Sequence, residues 1–356
     1  MSEDIKTLRE AIDRIDDELA AALNKRAELA KRIGALKEGV GAYHPERETE
    51  ILRRITEKKG VLGAERLGAV FREILSACRG LEEAISVSYL GPEGTFSEQA
   101  VRKHFGGGVE AIAAASVDDA FRRCESGAVQ FTVVPVENST EGAVGRTLDL
   151  LLLTPLRICA EIELRVQQNL LSRMPGIESI KKIYSHTQSL AQCNTWLGQN
   201  LPKAERVPVG SNAEAAQRAS KEAAAAAIAS EAAGERYGLA VLARSIEDDP
   251  NNTTRFLVLG RLDPASTGKD RTSLVMSAEN KPGAVHALLS PLAEHRVSMT
   301  RIESRPSRAR SALWEYVFFI DIEGHQKDAG VSRALDALKA RTSFLKILGS
   351  YPVAVS

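Results

Sequence analysis

The first eighty residues carry a helical pattern that is too long to fold back on itself. Apolar residues recur near the helical period over many turns, at Leu8, Ile12, Ile15, Leu19, Leu23, Leu29, Ile33 and Leu36. A second helix is predicted to begin at Pro45, and a third to run from Leu67 to Leu81. Three helices of such unequal length cannot close into a compact globule within one chain. We therefore expect residues 1–85 to form an all-α bundle in which two chains interlock.

Short apolar strands that run into polar loops characterise the next region, residues 86–262. Strand, loop and helical pattern follow one another at three places, with the strands at residues 86–90, 131–136 and 181–184. Repetition of this unit predicts an α/β sheet with ligands at the strand ends, where loops meet helix N-termini. Within an alanine-rich stretch, residues 226–230 are expected to form a small-residue strand.

A polar linker without periodicity, residues 263–270, separates a third region from the second. Strand patterns at residues 272–278, 298–305, 313–322 and 344–351 combine with helical patterns at 283–294 and 331–341. Their order, βαββαβ, predicts a ferredoxin-like α+β sandwich over residues 271–356.

Composition limits the partners and the compartment. Lys+Arg and Asp+Glu both number 47, so no global field would attract nucleic acid or an acidic membrane surface. The four cysteines lie far apart, which argues against a zinc knuckle, a redox pair or a disulfide framework. The acidic N-terminus does not resemble a secretion signal, and no apolar run reaches membrane-spanning length. We expect a cytoplasmic protein with no metal ion and no cofactor.

Basic residues of the first region lie on or beside its predicted helices. Any single one of them would be expected on a solvated basic face. Their order and spacing, however, resemble the all-helical chorismate mutases. The resemblance covers the whole region and rests on Leu8-Arg9-Glu10, Ile12, Ile15-Asp16, Lys25-Arg26, Glu28-Leu29-Ala30, Lys37, Pro45 and Arg47-Glu48.

Chorismate carries two carboxylates and rearranges through a pericyclic transition state that needs no nucleophile. The reaction is accelerated by holding the substrate compact and by placing positive charge near its ether oxygen. The resemblance implies that Arg26 and Arg47 bind the carboxylates together with the partner subunit's Arg9. It also implies that Lys37 reaches the ether oxygen and that Glu48 accepts from the substrate hydroxyl.

Glu82, placed on the third predicted helix, departs from the pattern of these mutases. Some relatives carry there a glutamine that donates to the ether oxygen, and only a protonated carboxyl could donate in the same way. We therefore expect mutase activity to improve toward mildly acidic pH, and the pH profile to flatten in Glu82→Gln.

Four motifs in the second region resemble prephenate dehydratase. They lie at residues 89–97 (Tyr-Leu-Gly-Pro-Glu-Gly-Thr-Phe-Ser), 134–139 (Val-Pro-Val-Glu-Asn-Ser), 184–188 (Tyr-Ser-His-Thr-Gln) and 252–256 (Asn-Thr-Thr-Arg-Phe). The resemblance implies two α/β lobes similar to those of periplasmic binding proteins. Taken singly, the motifs could be turns and helix caps. The glycine loop lacks the spacing of either nucleotide-binding pattern.

Prephenate loses its ring carboxylate as carbon dioxide while its ring hydroxyl leaves as water. The resemblance assigns protonation of this hydroxyl to Thr254, which can donate only within a network that stabilises the developing alkoxide. Polar side chains that could supply the network are Asn138, Ser185, Gln188 and Gln192. Arg255 is predicted to bind a substrate carboxylate, with a structural salt bridge as the alternative.

Two motifs of the third region resemble the ACT domain that is attached to prephenate dehydratases. The first, at residues 280–285, and the second, at residues 303–306, could each be only a turn. The resemblance implies a phenylalanine-binding site at an edge-to-edge pairing of two domains. Its predicted residues are Asn280, Pro282, Gly283, Ala284, Val285, Glu303, Ser304 and Arg305.

Taken together, the chain resembles the family of bifunctional chorismate mutase/prephenate dehydratases with a C-terminal ACT regulatory domain. The expected ligands are chorismate, prephenate and the effector L-phenylalanine, and the expected assembly is a homodimer or higher homo-oligomer without nucleic acid or membrane. Two alternatives stay open. The dehydratase could act on arogenate, the amino form of prephenate, or the lobes could belong to a non-enzymatic metabolite sensor.

Overall fold

The chain folds into two compact units. The computed structural model describes residues 4–36, 41–58, 60–277, 282–306 and 316–355. Met1–Ile85 together with Phe105–Glu110 form the first, which we call the helical unit, and Ser86–His104 together with Ala111–Ser356 form the second. The predicted regions 86–262 and 271–356 therefore share one compact unit.

The helical unit contains the three predicted helices: α1 (Ile5–Leu36), α2 (Pro45–Thr56) and α3 (Gly63–Gly80). Helices α2 and α3 pack through Leu52, Ile55 and Leu75, which are buried. Helix α1 contains no buried residue, and its apolar stripe from Leu8 to Ile33 has side chains that are 41% to 55% exposed. The apolar face of α1, which the sequence pattern predicts to be buried, is therefore exposed in the single chain.

The second unit begins with an α/β lobe, which we call the first lobe. Its sheet has the order β2-β1-β3-β11-β5, with β4 paired to β3. Strands β1 and β3 are parallel, whereas β11 runs antiparallel to both β3 and β5. The elements are β1 (Ser86–Leu90), α4 (Phe96–Phe105), β2 (Glu110–Ala114), α5 (Val117–Glu125), β3 (Phe131–Asn138), β4 (Gly142–Ala143), α6 (Gly145–Leu153), β5 (Arg157–Arg165) and β11 (Thr253–Gly260).

The second lobe lies in the chain between β5 and β11, so two chain segments join the lobes. Its sheet has the order β10-β6-β9-β7-β8. The elements are β6 (Asn169–Ser172), a 3-10 turn (Ile177–Ser179), β7 (Lys182–His186), α7 (Thr187–Gln192), α8 (Asn194–Asn200), β8 (Glu205–Val209), α9 (Asn212–Ala219), β9 (Ala225–Ala229), α10 (Glu231–Tyr237) and β10 (Ala240–Ala243). This arrangement agrees with the two lobes expected from sequence.

Strand β9 confirms the expected small-residue strand in the alanine-rich stretch. All five of its residues are buried. Alanines of α9, among them Ala215 and Ala216, pack with it in one core cluster. Small side chains on both elements let the helix approach the strand closely, which compensates for the poor intrinsic strand propensity of alanine.

The third part, which we call the C-terminal sandwich, has the predicted βαββαβ order. Its antiparallel sheet has the order β13-β14-β12-β15, and both helices belong to the same core cluster. The elements are β12 (Asp270–Ser277), α11 (Ala284–Glu294), β13 (Met299–Pro306), β14 (Tyr316–Glu323), α12 (Ala329–Arg341) and β15 (Phe344–Pro352). Residues 313–315 of the predicted third strand lie outside the described residues.

The sheet face opposite the helices packs on the first lobe. Val275, Phe319 and Leu348 of the sandwich share a core cluster with Ile158 and Leu257 of the first lobe. At Gly349 a Cβ atom would lie 2.3 Å from the Ile158 carbonyl oxygen, so only glycine permits this approach of β15 to β5. The sandwich and the first lobe are therefore joined by a continuous apolar core.

The cysteines lie apart in the interior of the described part of the chain. All four cysteines are buried and unpaired, and burial raises the pKa of Cys124 and Cys159 to about 12. The described ranges contain no cluster of three potential metal-binding side chains. None of their helices combines the length and apolar character that a membrane span requires.

Candidate active site

A cleft of about 660 Å³ lies between the two lobes of the second unit. Its walls come from the glycine loop after β1, the end of β3, the starts of α7 and α9, and strand β11. All four motifs that resemble prephenate dehydratase contribute residues to it, among them Pro92, Asn138, Gln188 and Thr254. The fold therefore gathers these distant motifs into one cavity.

Asn138 and Thr254 face each other at the first-lobe side of the cleft, and we call them the cleft pair. They are directly opposite in the antiparallel pairing of β3 and β11. Nδ2 of Asn138 donates to Thr254 Oγ1 at 2.8 Å and to Asn252 Oδ1 at 2.9 Å. Oδ1 of Asn138 accepts from the backbone of Thr140 and Glu141, which fixes the orientation of the amide.

The Thr254 hydroxyl accepts in this arrangement. Because its oxygen receives the Asn138 N–H, its own proton remains available for a ligand in the cleft. The same Asn138 N–H would stabilise negative charge on the oxygen after the proton has left. The geometry suits a hydroxyl proton donor.

Gln192 connects the two lobes across the cleft. Its Oε1 accepts from Asn252 at 3.0 Å, and its Nε2 donates to Thr140 Oγ1 at 3.0 Å. Gln188 also lines the cleft, so the structure brings both predicted glutamines to its wall.

Ser185 requires a correction, because it does not line the cleft. It is fully buried behind the wall, with its hydroxyl 3.0 Å from Asn212 Oδ1 and 3.0 Å from the Ile228 carbonyl oxygen. The side chain of Asn212 stands between it and the cavity side, where Asn212 Nδ2 donates to Ser189 Oγ at 2.8 Å. Ser185 therefore supports Asn212 from behind the wall of the cleft.

Arg255 requires a second correction. Adjacent residues of a strand point to opposite faces, so Thr254 faces the cleft and Arg255 faces the C-terminal sandwich. Its guanidinium donates to Glu161 at 2.9 Å and to Asp321 at 2.6 Å. The alternative weighed from sequence, a structural salt bridge, is the arrangement found, and the assignment of Arg255 to a substrate carboxylate is wrong.

The cleft combines apolar side chains with polar ones that are not cationic. Among the residues that the structure describes, no lysine or arginine lines it, whereas Glu141 and Glu214 do. Neutral donors stand where lysine or arginine could have been. The starts of α4 and α9 open toward the cavity, with Ser97 and Asn212 in its wall. Helix N-termini present free N–H groups and positive dipole ends, which suit carboxylates.

Three polar residues of the second lobe were missed from sequence: Gln168, Ser189 and Asn212. Gln168 Nε2 donates to Ser189 Oγ at 2.9 Å, and both residues are buried in the cleft wall. The signal for Asn212 was present, because it follows strand β8 and Gly210-Ser211 in the same strand-loop-helix order as the three recognised units. Nothing comparable marks Gln168.

Glu48 and Arg26 lie close together in the helical unit. Glu48, with a side chain 16% exposed, forms an ion pair with the buried Arg79, a residue that the sequence analysis did not consider. Burial raises the pKa of Glu48, while Arg79 and Arg26 oppose that shift. Nη1 of Arg26 is buried and has no hydrogen-bond partner among the described residues. One guanidinium nitrogen is thus available for an anion.

The other predicted mutase residues are spread out within this single chain. Arg9 is exposed on α1, and Arg47 pairs with Glu50 at the surface at 3.1 Å. Glu82 follows the end of α3 and is not part of it, and its side chain lies against Gly34 of α1, where a Cβ would come 2.9 Å from Glu82 Cγ. Lys37 lies outside the described residues.

The predicted effector residues lie at the start of α11 and along β13. Pro282 and Gly283 precede α11, which begins at Ala284-Val285, and Asn280 lies outside the described residues. In β13, Glu303 and Arg305 share the face toward the first lobe, and Arg305 donates to Asp149 of α6 at 3.2 Å. Ser304 points to the opposite, exposed face.

Comparison with known proteins agrees with this geometry. Residues 87–264 match the prephenate dehydratase family, residues 8–83 the type II chorismate mutase family, and residues 272–340 the ACT domain family. A bifunctional chorismate mutase/prephenate dehydratase of Neisseria gonorrhoeae is 53% identical, with 98% of this chain and 96% of that protein covered. A protein of the same description from Stutzerimonas stutzeri is 46% identical, with 99% of each covered.

The chain belongs to the bifunctional chorismate mutase/prephenate dehydratase family. The crystal structure of a prephenate dehydratase from Arthrobacter aurescens in complex with L-Phe is 35% identical with a TM-score of 0.70, covering 75% of this chain and 90% of that one. The family expected from the motifs and the predicted classes of the three regions are confirmed. The chain is an enzyme, so the sensor alternative is set aside.

Proposed function

We propose that this enzyme of phenylalanine biosynthesis rearranges chorismate to prephenate in the helical unit and converts prephenate to phenylpyruvate in the cleft of the second unit. The observation that carries the second assignment is the Thr254 hydroxyl. It faces a cavity whose described lining includes neutral donors and no lysine or arginine, and it accepts a hydrogen bond from Asn138 at 2.8 Å.

Dehydration in the cleft proceeds by proton donation from Thr254 to the ring hydroxyl of prephenate. The electron pair of the bond to the ring carboxylate moves into the ring, carbon dioxide departs, and the protonated hydroxyl leaves as water. The threonine alkoxide is stabilised by the Asn138 N–H and regains a proton from solvent. Aromatisation of the ring drives the step.

The lack of cations in the described wall of the cleft suits the loss of carbon dioxide. A guanidinium paired with the ring carboxylate would stabilise the substrate more than the transition state, in which that charge spreads into the ring. Neutral donors near α4 and α9 can hold the side-chain carboxylate without this penalty.

The helical unit completes its site with a second copy of the chain. The exposed stripe of α1 requires an apolar cover, and a second α1 offers the same stripe in return. The partner subunit's Arg9 then joins Arg26 and Arg47 around the two carboxylates of chorismate. Lys37 serves the ether oxygen, and Glu48 receives the substrate hydroxyl.

The C-terminal sandwich binds L-phenylalanine and inhibits the dehydratase. Support comes from the motifs at residues 280–285 and 303–306, and from the L-Phe complex of the Arthrobacter protein. Edge strand β13 exposes Ile302 and Met299 beside the motif at residues 303–306, where a second sandwich can pair.

The four unpaired cysteines suit a reducing compartment such as the cytoplasm.

A single set of incubations tests the proposal. Purified full-length protein is given chorismate, prephenate or arogenate, and products are separated by chromatography with and without phenylalanine. We expect prephenate to form from chorismate, and phenylpyruvate to form from chorismate and from prephenate. Less phenylpyruvate should form when phenylalanine is present. Turnover of arogenate in preference to prephenate would support the arogenate alternative, and no phenylpyruvate from prephenate would refute the dehydratase assignment.

A further inference from the structure

Behind the cleft pair, two charged residues face away from the cavity. Glu137 and Arg255 immediately adjoin Asn138 and Thr254 in the chain, and they are directly opposite each other in the β3–β11 pairing. Because side chains alternate along a strand, both point toward the C-terminal sandwich. The two strands that carry the cleft pair thus present one carboxylate and one guanidinium on their rear face.

The C-terminal sandwich meets them with a pair of opposite charge. Arg255 Nη1 donates to Asp321 of β14 at 2.6 Å, and Arg301 Nε of β13 lies 2.7 Å from Glu137 Oε2 as an ion pair without hydrogen-bond alignment. Arg301 and Asp321 are themselves opposite each other in the β13–β14 pairing. We call Glu137, Arg255, Arg301 and Asp321 the rear cluster.

Arg255 is the most firmly held member of the rear cluster. Its side chain is 12% exposed, and its three nitrogens have three different partners: Glu161 of the first lobe, and Asp321 and Tyr351 of the sandwich. The β3–β11 register shifts between Arg255 and Phe256, so the backbone ladder is irregular directly beside Thr254. At this point of the strand the side-chain bonds of Arg255 therefore supplement an irregular backbone ladder.

We propose that Arg301 and Asp321 are positioning residues for dehydration: acting through Glu137 and Arg255, they keep Asn138 and Thr254 at hydrogen-bonding distance. This inference rests on the proposed function of Thr254. Small displacements of a proton donor cost rate more than they cost substrate affinity. The C-terminal sandwich is therefore part of the support of the active site, in addition to binding an effector.

The position of Arg301 gives the effector a route to the cleft. Arg301 lies in β13 two residues before Glu303, the start of the predicted effector motif. A ligand that moves β13 moves the partner of Glu137, and through it the strand end that carries Asn138. Coupling of this kind requires only that phenylalanine prefers one placement of β13.

The test compares Arg301→Gln and Asp321→Asn with the unaltered full-length chain. Each variant removes one charge at similar volume. We expect the dehydratase kcat to fall between about tenfold and about 100-fold, with KM changed less than about threefold. Mutase activity of the same samples should not change, which controls for folding and concentration. Arg301→Lys, which keeps the charge, should recover much of the lost rate.

A matched control separates positioning from loosening of the boundary. Lys346 of β15 also crosses from the sandwich to the first lobe, where it donates to the Leu151, Leu152 and Thr154 carbonyls at 2.7–3.0 Å near the end of α6. Lys346→Met should lower the melting temperature because it removes these hydrogen bonds. It should leave the dehydratase kcat within about twofold, since Lys346 does not contact the residues that adjoin the cleft pair.

The outcomes distinguish this inference from the function on which it rests. Wild-type dehydratase kcat in both Arg301→Gln and Asp321→Asn would overturn it, as would an equal loss in Lys346→Met. If Asp321→Asn fails to fold because Asp321 is buried, Arg301→Gln and Arg301→Lys still test the proposal, since Arg301 is partly exposed. Persistence of dehydratase activity in Thr254→Ala would instead refute the proposed acid, whatever the rear cluster does.

Discussion

The helical unit and the cleft of the second unit handle anionic substrates by opposite means. In the helical unit the predicted contacts are charged, and Arg9 and Arg47 stand at the surface of α1 and α2. In the cleft the described wall contains no lysine or arginine, and its buried polar side chains, among them Asn138 and Gln168, are hydrogen-bonded to neighbouring side chains. A rearrangement that builds charge at an ether oxygen calls for cations, and a decarboxylation does not.

The two sites also differ in what one chain can supply. The cleft network closes within a single chain, from Thr254 through Asn138 and Asn252 to Gln192. Among the described mutase residues, Arg26 and Glu48 lie close together, whereas Arg9 and Arg47 are exposed, and α1 exposes its apolar stripe. The contrast teaches that the dehydratase should be indifferent to assembly of the helical unit, whereas the mutase should depend on it.

The largest expected effect is at Thr254. Thr254→Ala removes the proton donor, and we expect the dehydratase kcat to fall by about 1,000-fold, within the usual range for loss of a general acid. Mutase activity, measured on the same sample with chorismate, should be unchanged. Thr254→Ser keeps a hydroxyl and should retain part of the rate; equal inactivity of Ser and Ala would point to a packing role.

The second effect addresses assembly. Leu19→Asp places a charge in the exposed stripe of α1, and the loss of a paired helix should reduce mutase activity by about 100-fold because the partner subunit's cation no longer reaches the substrate. Sedimentation and both activities are measured together. Ala21→Asp puts the same charge on the opposite face of α1, and it should leave the sedimentation and both activities unaltered. Full mutase activity in a Leu19→Asp monomer would contradict the shared site.

The third effect concerns pH. Glu48 must be ionised to accept from the substrate, and burial raises its pKa above the ordinary value near 4.5. As pH falls through that raised pKa, mutase kcat/KM should decline by about tenfold per unit. The Glu82→Gln variant carries a neutral amide that can donate at any pH, so it tests whether Glu82 contributes to the pH profile.

The variants separate the two carboxyls. The acid limb should disappear in Glu48→Gln, and the pH profile should flatten in Glu82→Gln, when kcat/KM is measured between pH 4 and pH 9. A profile that is identical in Glu82→Gln and in the unaltered protein would remove Glu82 from the mechanism.

Local patterns predicted the fold well, since periodicity and turn residues are local properties. The bounds of α1, β1 and β9 differ from the expectations by no more than a few residues. The motifs likewise predicted which segments meet in the cleft, because the ends of adjacent strands converge at one edge of a sheet.

Side-chain direction was harder to predict than position along the chain. Arg255 was assigned to the substrate although the alternation of a strand places it behind Thr254, and the carboxylate of Asp321 that holds it lies 66 residues away in sequence. Ser185 was misplaced for a similar reason, because a buried polar residue behind a wall has the same local signal as one within it. Such contacts depend on tertiary packing, which no local pattern records.

The smallest effect tests whether Ser185 belongs to the cleft or only to its support. Its hydroxyl can donate one proton, to Asn212 or to the Ile228 carbonyl oxygen, both at 3.0 Å. Removing one neutral hydrogen bond costs about 1 kcal/mol, so Ser185→Ala should lower the dehydratase kcat by no more than about tenfold, even if the whole loss falls on the transition state. Asn212→Ala, which alters the wall itself, should cost more.

A loss beyond about 100-fold in Ser185→Ala would return the residue to the proton-transfer chain, because loss of a group that moves a proton typically costs that much or more. A small loss would place Ser185 behind the wall and leave the groups that touch substrate among the residues that line the cleft. The result would sharpen the contrast between the units: the cleft relies on neutral groups, each supported by the one behind it, whereas the proposed mutase site relies on charges drawn from two chains.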